Sequence, residues 1–493
     1  MSNDERQARR ERLEALRREG IDPYPARVGP RVAVAEVRRL HDGKDAETLE
    51  AETPQLAVAG RVRALRSFGK LVFLQLVEDG VAIQVSARRG ETPDDVFERV
   101  RGLDVGDFAR FEGRVWRTQK GELTVGAHAA ELLAKSLQPL PEKWHGLVDV
   151  EARFRQRYLD LLANERAREI AVLRSRVVGG LRRFLDERGF LEVETPVLQP
   201  VYGGAAARPF VTHHNSLDQR LFLRISDELY LKRLVIGGLD RVYEIGRVFR
   251  NEGISRKHNP EFTMLECYQA YADFHDMMDL VRALLQEVVV GVLGGTKVPH
   301  EGSFLELAGE WPRITMQRAV QEATGVDILA APDLAALREA VRTQGLDPGD
   351  APSWAALVDD LFSAHVEPRL VQPTYVTHYP TQLSPLAKRS RDDPRLVERF
   401  ELFLGGVEVA NAFSELNDPD DQRARLEEQQ QLHAQGDQDA HPMDEDFLRA
   451  LEHGMPPTGG LGLGVDRLVR LLADAPSLRE VILFPHLRSE PPS

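Results

Sequence analysis

Cysteine is nearly absent. Cys267 is the one thiol in 493 residues, which excludes a disulfide framework and a thiolate zinc site. No apolar run is long enough to cross a bilayer, so no membrane partner is expected. The opening stretch MSNDERQARRERLEALRREG lacks the apolar centre of a secretion signal, and a cytoplasmic chain is the expectation. There is no G-x-x-x-x-G-K phosphate loop. Gly460, Gly462 and Gly464 do not give G-x-G-x-x-G, and no acidic ribose partner follows them. An excess of positive charge is also missing: the net charge is -14, which argues against a generally basic nucleic-acid coat but leaves room for a local basic patch. What remains is 42% apolar and 29% charged, ordinary for a globular protein, in a chain long enough for two or three domains.

The organisation changes along the chain. Residues 4–19 read as a charged helix with Leu13 and Leu16 on one side, ended by the Pro- and Gly-rich stretch 21–31. Five short β-rich runs follow, at 56–65, 71–77, 82–86, 108–118 and 123–132, separated by turns such as Glu78-Asp79-Gly80. Their number and spacing predict a five-stranded Greek-key barrel of the OB type. Such barrels bind single-stranded nucleic acid with aromatic platforms and polar contacts to base edges. Phe73 and Gln84 are the aromatic and amide candidates, with Arg61, Arg63, Arg66 and Lys70 nearby; on the barrel alone, Phe73 reads first as a plain core residue. A linker with two prolines and Trp144 covers 134–150, and mixed α/β patterning runs from there to the end. Residues 172–188 read as a helix stopped by Gly189, 190–198 as a strand ending near Pro196, and 334–342 and 354–364 as helices of an insertion.

Two stretches carry chemistry. The first, 241–270, reads strand, polar loop, strand. Its loop holds Arg250, Glu252, Arg256, Lys257 and His258, a concentration of cations that suits a polyphosphate. Glu266 and Tyr268 share one face of the second strand, which suits a cationic amine. A solvated hairpin with surface ion pairs fits the same residues. The second, RFELFLGGVEVANAFSELND at 399–418, places Glu401 and Glu408 on strands flanking Gly405-Gly406; hard carboxylates facing a polyphosphate suit Mg²⁺. Asn411, Phe413 and Glu415 alternate along the second strand. A buried Glu415 is costly alone and reasonable beside a bound cation. The small-residue loop 203–210 lets backbone approach a ligand closely. Ser226 or Asp227 caps a helix, where dipole decoration is the usual role of an acid such as Glu228. Residues 459–467, GGLGLGVDR, read as a glycine-rich turn opening a helix.

FRNEGISRKHNPEFTMLE at 249–266 resembles the second signature motif of class II aminoacyl-tRNA synthetases, in its lysyl branch. The helix and strand before Pro196 resemble the first motif, which builds a dimer interface, and GGLGLGVDR resembles the third. GRVRALRSFGKLVFLQL at 60–76 is similar to the anticodon-binding barrel of lysyl, aspartyl and asparaginyl enzymes, RFRQRYLDLL at 153–162 to the entry of the catalytic domain, and ILFPHLR at 482–488 to its C-terminal strand. The resemblance implies an α+β chain: an N-terminal extension (1–54), an anticodon-binding OB barrel (55–135), a linker (136–152), and a class II antiparallel sheet flanked by helices (153–493) with a helical insertion at about 320–373. It implies activation of L-lysine by ATP and transfer to the 3′ end of tRNA(Lys), with Mg²⁺, in a homodimer. By the same resemblance Arg250 aligns the reactants as the catalytic residue. Arg250, Glu252, His258, Asn259, Phe262 and Arg467 hold ATP, with adenine between Phe262 and Arg467. Gly204, Glu228, Arg250, Glu266, Tyr268, Asn411, Phe413, Glu415 and Gly462 hold lysine. Glu401 and Glu408 hold the metal, and Arg66, Phe73 and Gln84 read the anticodon. Ala412 stands where some members have glycine.

Three other readings remain, the first with the same architecture. An aspartyl or asparaginyl enzyme would need cations where Glu266 and Glu415 stand. A paralogue that modifies a protein lysine would lack the barrel. A non-catalytic tRNA-binding protein would have lost Arg250 or Arg467, and both are present.

Overall fold

The structure is a computed structural model describing residues 3–140, 147, 149–256, 258–434 and 441–488. Trp144 and the rest of 141–146, together with residue 148 of the expected linker, lie outside the described residues, as does Lys257 of the hairpin loop. The chain divides into two compact units, Met1–Gly146 and Leu147–Ser493.

In the first unit, β1 (Gln55–Phe68), β2 (Leu71–Glu78), β3 (Val81–Arg88), β4 (Phe108–Arg117) and β5 (Leu123–Ala134) close into a barrel in the order β1-β2-β3-β5-β4. Only β3 and β5 pair in parallel. Period-two alternation drives Val72, Leu74 and Leu76 of β2 and Ile83 and Val85 of β3 into the core. The helix Asp94–Arg101 adds Val96, Phe97 and Val100, and the helices Val34–His41 and Ala46–Glu52 add Val34, Val37 and Leu49. These three helices are too short to leave a readable 3.6-residue period. The charged N-terminal helix runs Asn3–Arg18.

The second unit contains β6 (Leu191–Glu192), β7 (Leu198–Gln199), β8 (Val211–His214), β9 (Gln219–Leu223), β10 (Arg241–Phe249), β11 (Glu261–Ala270), β12 (Lys297–His300), β13 (Ser303–Glu306), β14 (Arg313–Thr315), β15 (Thr374–Thr377), β16 (Arg399–Leu404), β17 (Val407–Ser414) and β18 (Thr458–Gly464). Eight of them form one sheet, β14-β15-β16-β17-β18-β11-β10-β6. It is antiparallel except at its two edges, where β14 pairs β15 and β6 pairs β10 in parallel. Alternation splits the central strands cleanly. Leu265, Cys267, Phe400, Leu402, Ala410, Ala412, Leu461 and Leu463 point to one face, packed with residues of the helices Glu165–Asp186 and Phe274–Leu293. The residues between them point to the other face, and that face carries the site. The helices Met316–Thr324, Leu334–Thr343 and Trp354–His365 gather their own core, anchored on Val376 of β15 and Phe403 of β16.

Three sequence expectations are corrected. Residues 190–198 are not one strand: β6 joins the main sheet and β7 joins β9 and β8 in a separate small sheet. Thr195 lies between them and donates both its N–H and its hydroxyl to Glu244, and Pro196 has no N–H for a ladder. The glycine-rich run is not a turn but β18, a central strand between β17 and β11. Residues 482–488 form no strand; the carbonyls of Ile482 and Leu483 accept from the buried guanidinium of Arg157 instead.

Candidate active site

The sheet register assembles the site. Glu401, Asn411, Gly462 and Glu266 stand opposite one another across β16, β17, β18 and β11, and Arg399, Phe413, Gly460 and Tyr268 form the next row. β18 offers only glycine to this face at 460, 462 and 464, so the floor between two walls of functional side chains is bare backbone. A Cβ on Gly460 would meet Glu415 Oε1 at 1.9 Å and Tyr268 Cε1 at 2.6 Å. The result is a cavity of about 320 Å³. Every residue expected to hold ATP, lysine or metal lines it except Glu415, whose carboxylate fills the space where a side chain on Gly460 would stand.

One end of the cavity is rich in buried carboxylates. Glu228, Glu266 and Glu415 are each at most 6% exposed. Ser226 Oγ donates to Glu266 Oε1 at 2.8 Å, the Asp227 N–H adds a second bond at 3.2 Å, and Tyr268 Oη approaches Oε2 at 3.4 Å. The expected helix cap takes another form: the helix Glu228–Ile236 follows Asp227, whose side chain caps nothing, while Ser226 Oγ accepts from the Glu228 N–H. Gly204, at φ +84, passes so close that a Cβ would lie 2.7 Å from Ser226 Oγ; an L side chain fits neither the space nor the angle. Burial, then the neighbouring Glu228, pushes the Glu266 carboxyl up to about 7. Burial raises Glu415 well above the usual carboxylate range against the pull of the Lys232 ammonium beside its Oε2, and its Oε1 is buried without a hydrogen-bond partner. Such an end favours an incoming cation that would restore the ionised forms.

The other end is cationic. Arg250 is the first residue after β10; its guanidinium lies 5.1 Å from the Phe262 ring centre and its Nε donates to the Ile225 carbonyl at 3.4 Å. Glu252, His258 and Asn259 line the cavity from the hairpin loop, where the His258 ring lies 3.0 Å from Ser255 Oγ. Arg467 opens the helix Val465–Leu472 and donates to both the backbone carbonyl and the carboxylate of Glu408, at 3.0 and 2.8 Å. Phe262 and Arg467 thus both face the cavity, with Arg250 now over the Phe262 ring. Glu401 is held by Arg399 and by Tyr379 Oη at 2.8 Å; burial, then Glu408, pushes it up to about 7. Two carboxylates crowded until one resists ionising is an arrangement that fits a divalent cation with phosphate oxygens as further ligands. Among the described residues no cluster of three or more His, Cys, Asp or Glu gathers around a point.

Sequence reasoning missed several contributors. Lys232, fully buried, bonds Glu228 Oε1 at 2.6 Å and Glu415 Oε2 at 2.5 Å. Its signal was the four-residue spacing from Glu228, usually read as a surface helix pair. Arg399 bridges Glu401 and Asn411. Asp466 accepts the Thr263 N–H at 2.9 Å and pairs with Arg174, fixing the start of β11.

In the barrel unit, Arg66 faces Phe73 across β1 and β2, and Gln84 faces Gln75 across β2 and β3. Arg66, Phe73 and Gln84 therefore share the outer face. Phe73 is half-buried and outside the core, which removes its reading as a core residue. Gln84 Nε2 donates to Thr124 Oγ1 at 3.0 Å.

Residues 149–488 match the family described as tRNA synthetases class II (D, K and N), and residues 56–140 match the OB-fold nucleic acid binding domain. The chain is 52% identical over 488 residues to the lysine–tRNA ligase of Roseiflexus castenholzii, covering 99% of both chains. It is 50% identical over 484 residues to that of Carboxydothermus hydrogenoformans, covering 97% of both. To that of Staphylococcus aureus it is 46% identical over 491 residues, covering 99% of both.

Proposed function

This chain belongs to the class II tRNA synthetases, and from that premise we propose how its own residues make lysyl-tRNA. It activates L-lysine with ATP to lysyl-adenylate and passes lysine to the 3′ end of tRNA(Lys). The observation that carries the choice of amino acid is the buried carboxylate set Glu228, Glu266 and, packed over Gly460, Glu415, at one cavity whose other end holds Arg250 and Arg467. An aspartate or asparagine side chain would find acids where it needs donors.

Lysine lies with its α-amino group at Glu228 and Gly204 and its ε-ammonium at Glu266, Tyr268 and Glu415. Asn411, Phe413 and Gly462 form the floor and wall between. Adenine stacks on Phe262, with Arg467 on its other side once ATP replaces Arg250 over the ring; Glu252 and Asn259 take its polar edge and neighbouring groups. Arg250 bridges the lysine carboxylate and the α-phosphate, and His258 meets the outer phosphates. The carboxylate is already ionised at neutral pH, so no base is needed. It attacks the α-phosphorus in line, and pyrophosphate leaves. Rate comes from alignment and from donors placed where charge develops. The family generally needs a divalent metal; Glu401 and Glu408 would hold Mg²⁺, which when bound neutralises charge on the phosphates.

The barrel, taken as residues 55–135, reads the anticodon with Arg66, Phe73 and Gln84, and residues 153–493 carry the chemistry. A homodimer forms through the helix Glu165–Asp186 and the segment around Pro196, where Val172, Leu191, Val197 and Leu198 are exposed. No described helix is long and apolar enough to cross a membrane, and the proposed compartment is the cytoplasm, where translation consumes the product. The test is ATP–pyrophosphate exchange with lysine, arginine, ornithine, aspartate and asparagine, with and without Mg²⁺. Metal-dependent exchange with lysine is expected. Exchange with aspartate instead would overturn the pocket, and no exchange with any of them would leave a tRNA-binding protein.

A further inference from the structure

The lysine pocket already contains a lysine of the chain. Lys232 sits one helical turn after Glu228 on the helix Glu228–Ile236, and its ammonium is enclosed between Glu228 and Glu415, with Phe413 and Phe447 ring centres at 5.5 and 5.9 Å. Its side chain is 0% exposed. Burial alone would favour loss of its proton, but the two carboxylates outweigh burial and hold it charged. Each carboxylate gives Lys232 one oxygen, Oε1 of Glu228 and Oε2 of Glu415. Glu415 Oε1 is left buried with no partner, beside Tyr268 in the space that the missing Gly460 side chain leaves. On the reading above, Glu228 receives the α-amino group and Glu415 the ε-ammonium, so one cation ties together the groups that grip the two ends of the substrate.

Resting on that reading of the pocket, we propose that Lys232 is a positioning residue that sets substrate length: its ammonium fixes the separation of Glu228 and Glu415, and the pocket thereby measures the chain between the two amino groups of lysine. Charge balance agrees. Three buried carboxylates less one fixed ammonium leave two negative charges for two ammonium groups, while the substrate carboxylate goes to Arg250. Without Lys232 the carboxylates repel, and one must move or take a proton. A rigid pocket discriminates one methylene by roughly 10–200-fold, and that discrimination is what a loosened pair forfeits.

The experiment is pyrophosphate exchange by the full chain and by Lys232→Met and Lys232→Arg, with lysine and with ornithine, alongside thermal melting. The wild-type chain comes first: if its exchange does not depend on lysine, the pocket reading fails. If it does, Lys232→Met is expected to raise the KM for lysine at least tenfold, to lower kcat by less, and to lower the lysine-to-ornithine ratio of kcat/KM at least tenfold, with the KM for ATP within twofold of wild type. Lys232→Arg keeps the charge, and so the fold, but changes the spacing; it is expected to lose discrimination as well. An unchanged lysine-to-ornithine ratio in either folded variant, or equal losses with both amino acids together with a lowered melting temperature, overturns the inference and leaves Lys232 as an ordinary buried ion pair.

Discussion

Gly460 and Glu415 are mutually exclusive with any larger pair: a methyl group on Gly460 would stand 1.9 Å from Glu415 Oε1. β18 is pinned on both sides, with Gly460 opposite Phe413 and Tyr268, so the backbone has no freedom to retreat. Gly460→Ala is therefore expected to displace Glu415 and lower kcat/KM for lysine at least a hundredfold, with overpacking costing about 1–3 kcal/mol of stability. Gly462→Ala is the contrast. Its Cβ would meet only the flexible end of Met264 at 3.3 Å and the Asn411 carbonyl at 3.8 Å, so its loss should appear in lysine KM with little change in denaturant midpoint. Equal stability losses for the two variants would contradict the geometry.

The acid-rich pocket makes ligand-free stability depend on pH with a definite sign. Glu266 and Glu401 are pushed up to about 7 and Asp227 to about 9, in each case first by burial and then by a neighbouring acid. The folded chain then holds protons near neutrality that the unfolded chain has released, so stability rises as pH falls from 8 to 6.5. Below about 6.5 His441, which burial and then Lys232 push down to about 4, acts oppositely because only the unfolded state protonates it. Melting temperature in the absence of ligand should increase from pH 8 to 6.5. Saturating lysine should flatten the slope, and calorimetry in buffers of different ionisation enthalpy should show proton release on binding. A melting temperature that falls over this window would show that these acids are ionised in the empty pocket.

Arg250 is buried among Glu252, Glu408 and Glu266, and burial pulls its guanidinium below the usual value without neutralising it. Replacement by alanine removes the group that bridges both reactants. Loss of adenylate formation by roughly 10²–10³-fold is expected, by analogy with other preorganised donors, with tRNA affinity intact in a filter-binding assay. Near-normal exchange by Arg250→Ala would dismiss it as the aligning residue.

The sequence was most legible where chemistry and periodicity coincide. β10, β11, β16 and β17 emerged from alternation, and the same alternation put Glu266 with Tyr268 and Asn411 with Phe413 on common faces. β18 escaped because its site-facing positions are all glycine, a composition that reads locally as a turn; only the side chains of Glu415 and Tyr268 filling the vacated space explain it, and those are distant in sequence. The break between β6 and β7 escaped for a related reason, since Glu244 from β10 captures Thr195. Lys232 and Arg399 were missed because a charge four residues from its partner, or at a strand end, ordinarily faces water. Burial is a property of the assembled sheet and helix, not of the local text.

Phe73 offers a separate test of the barrel. It stands half-buried on the outer face, opposite Arg66 and on the same side as Gln84, while Val72 and Leu74 on either side fill the core. Phe73→Ala thus removes little core packing and should leave the barrel folded by circular dichroism. Stacking of a base on an aromatic ring is worth about 1–3 kcal/mol, so the KM for tRNA(Lys) in aminoacylation should rise roughly 5–150-fold at that energy, with the KM for lysine unmoved. Phe73→Trp should recover most of the loss because it restores a flat surface, and Phe73→Leu should not, although it is comparably apolar. Full activity of the leucine variant would show that Phe73 contributes only bulk to the outer face, and that the anticodon is read elsewhere.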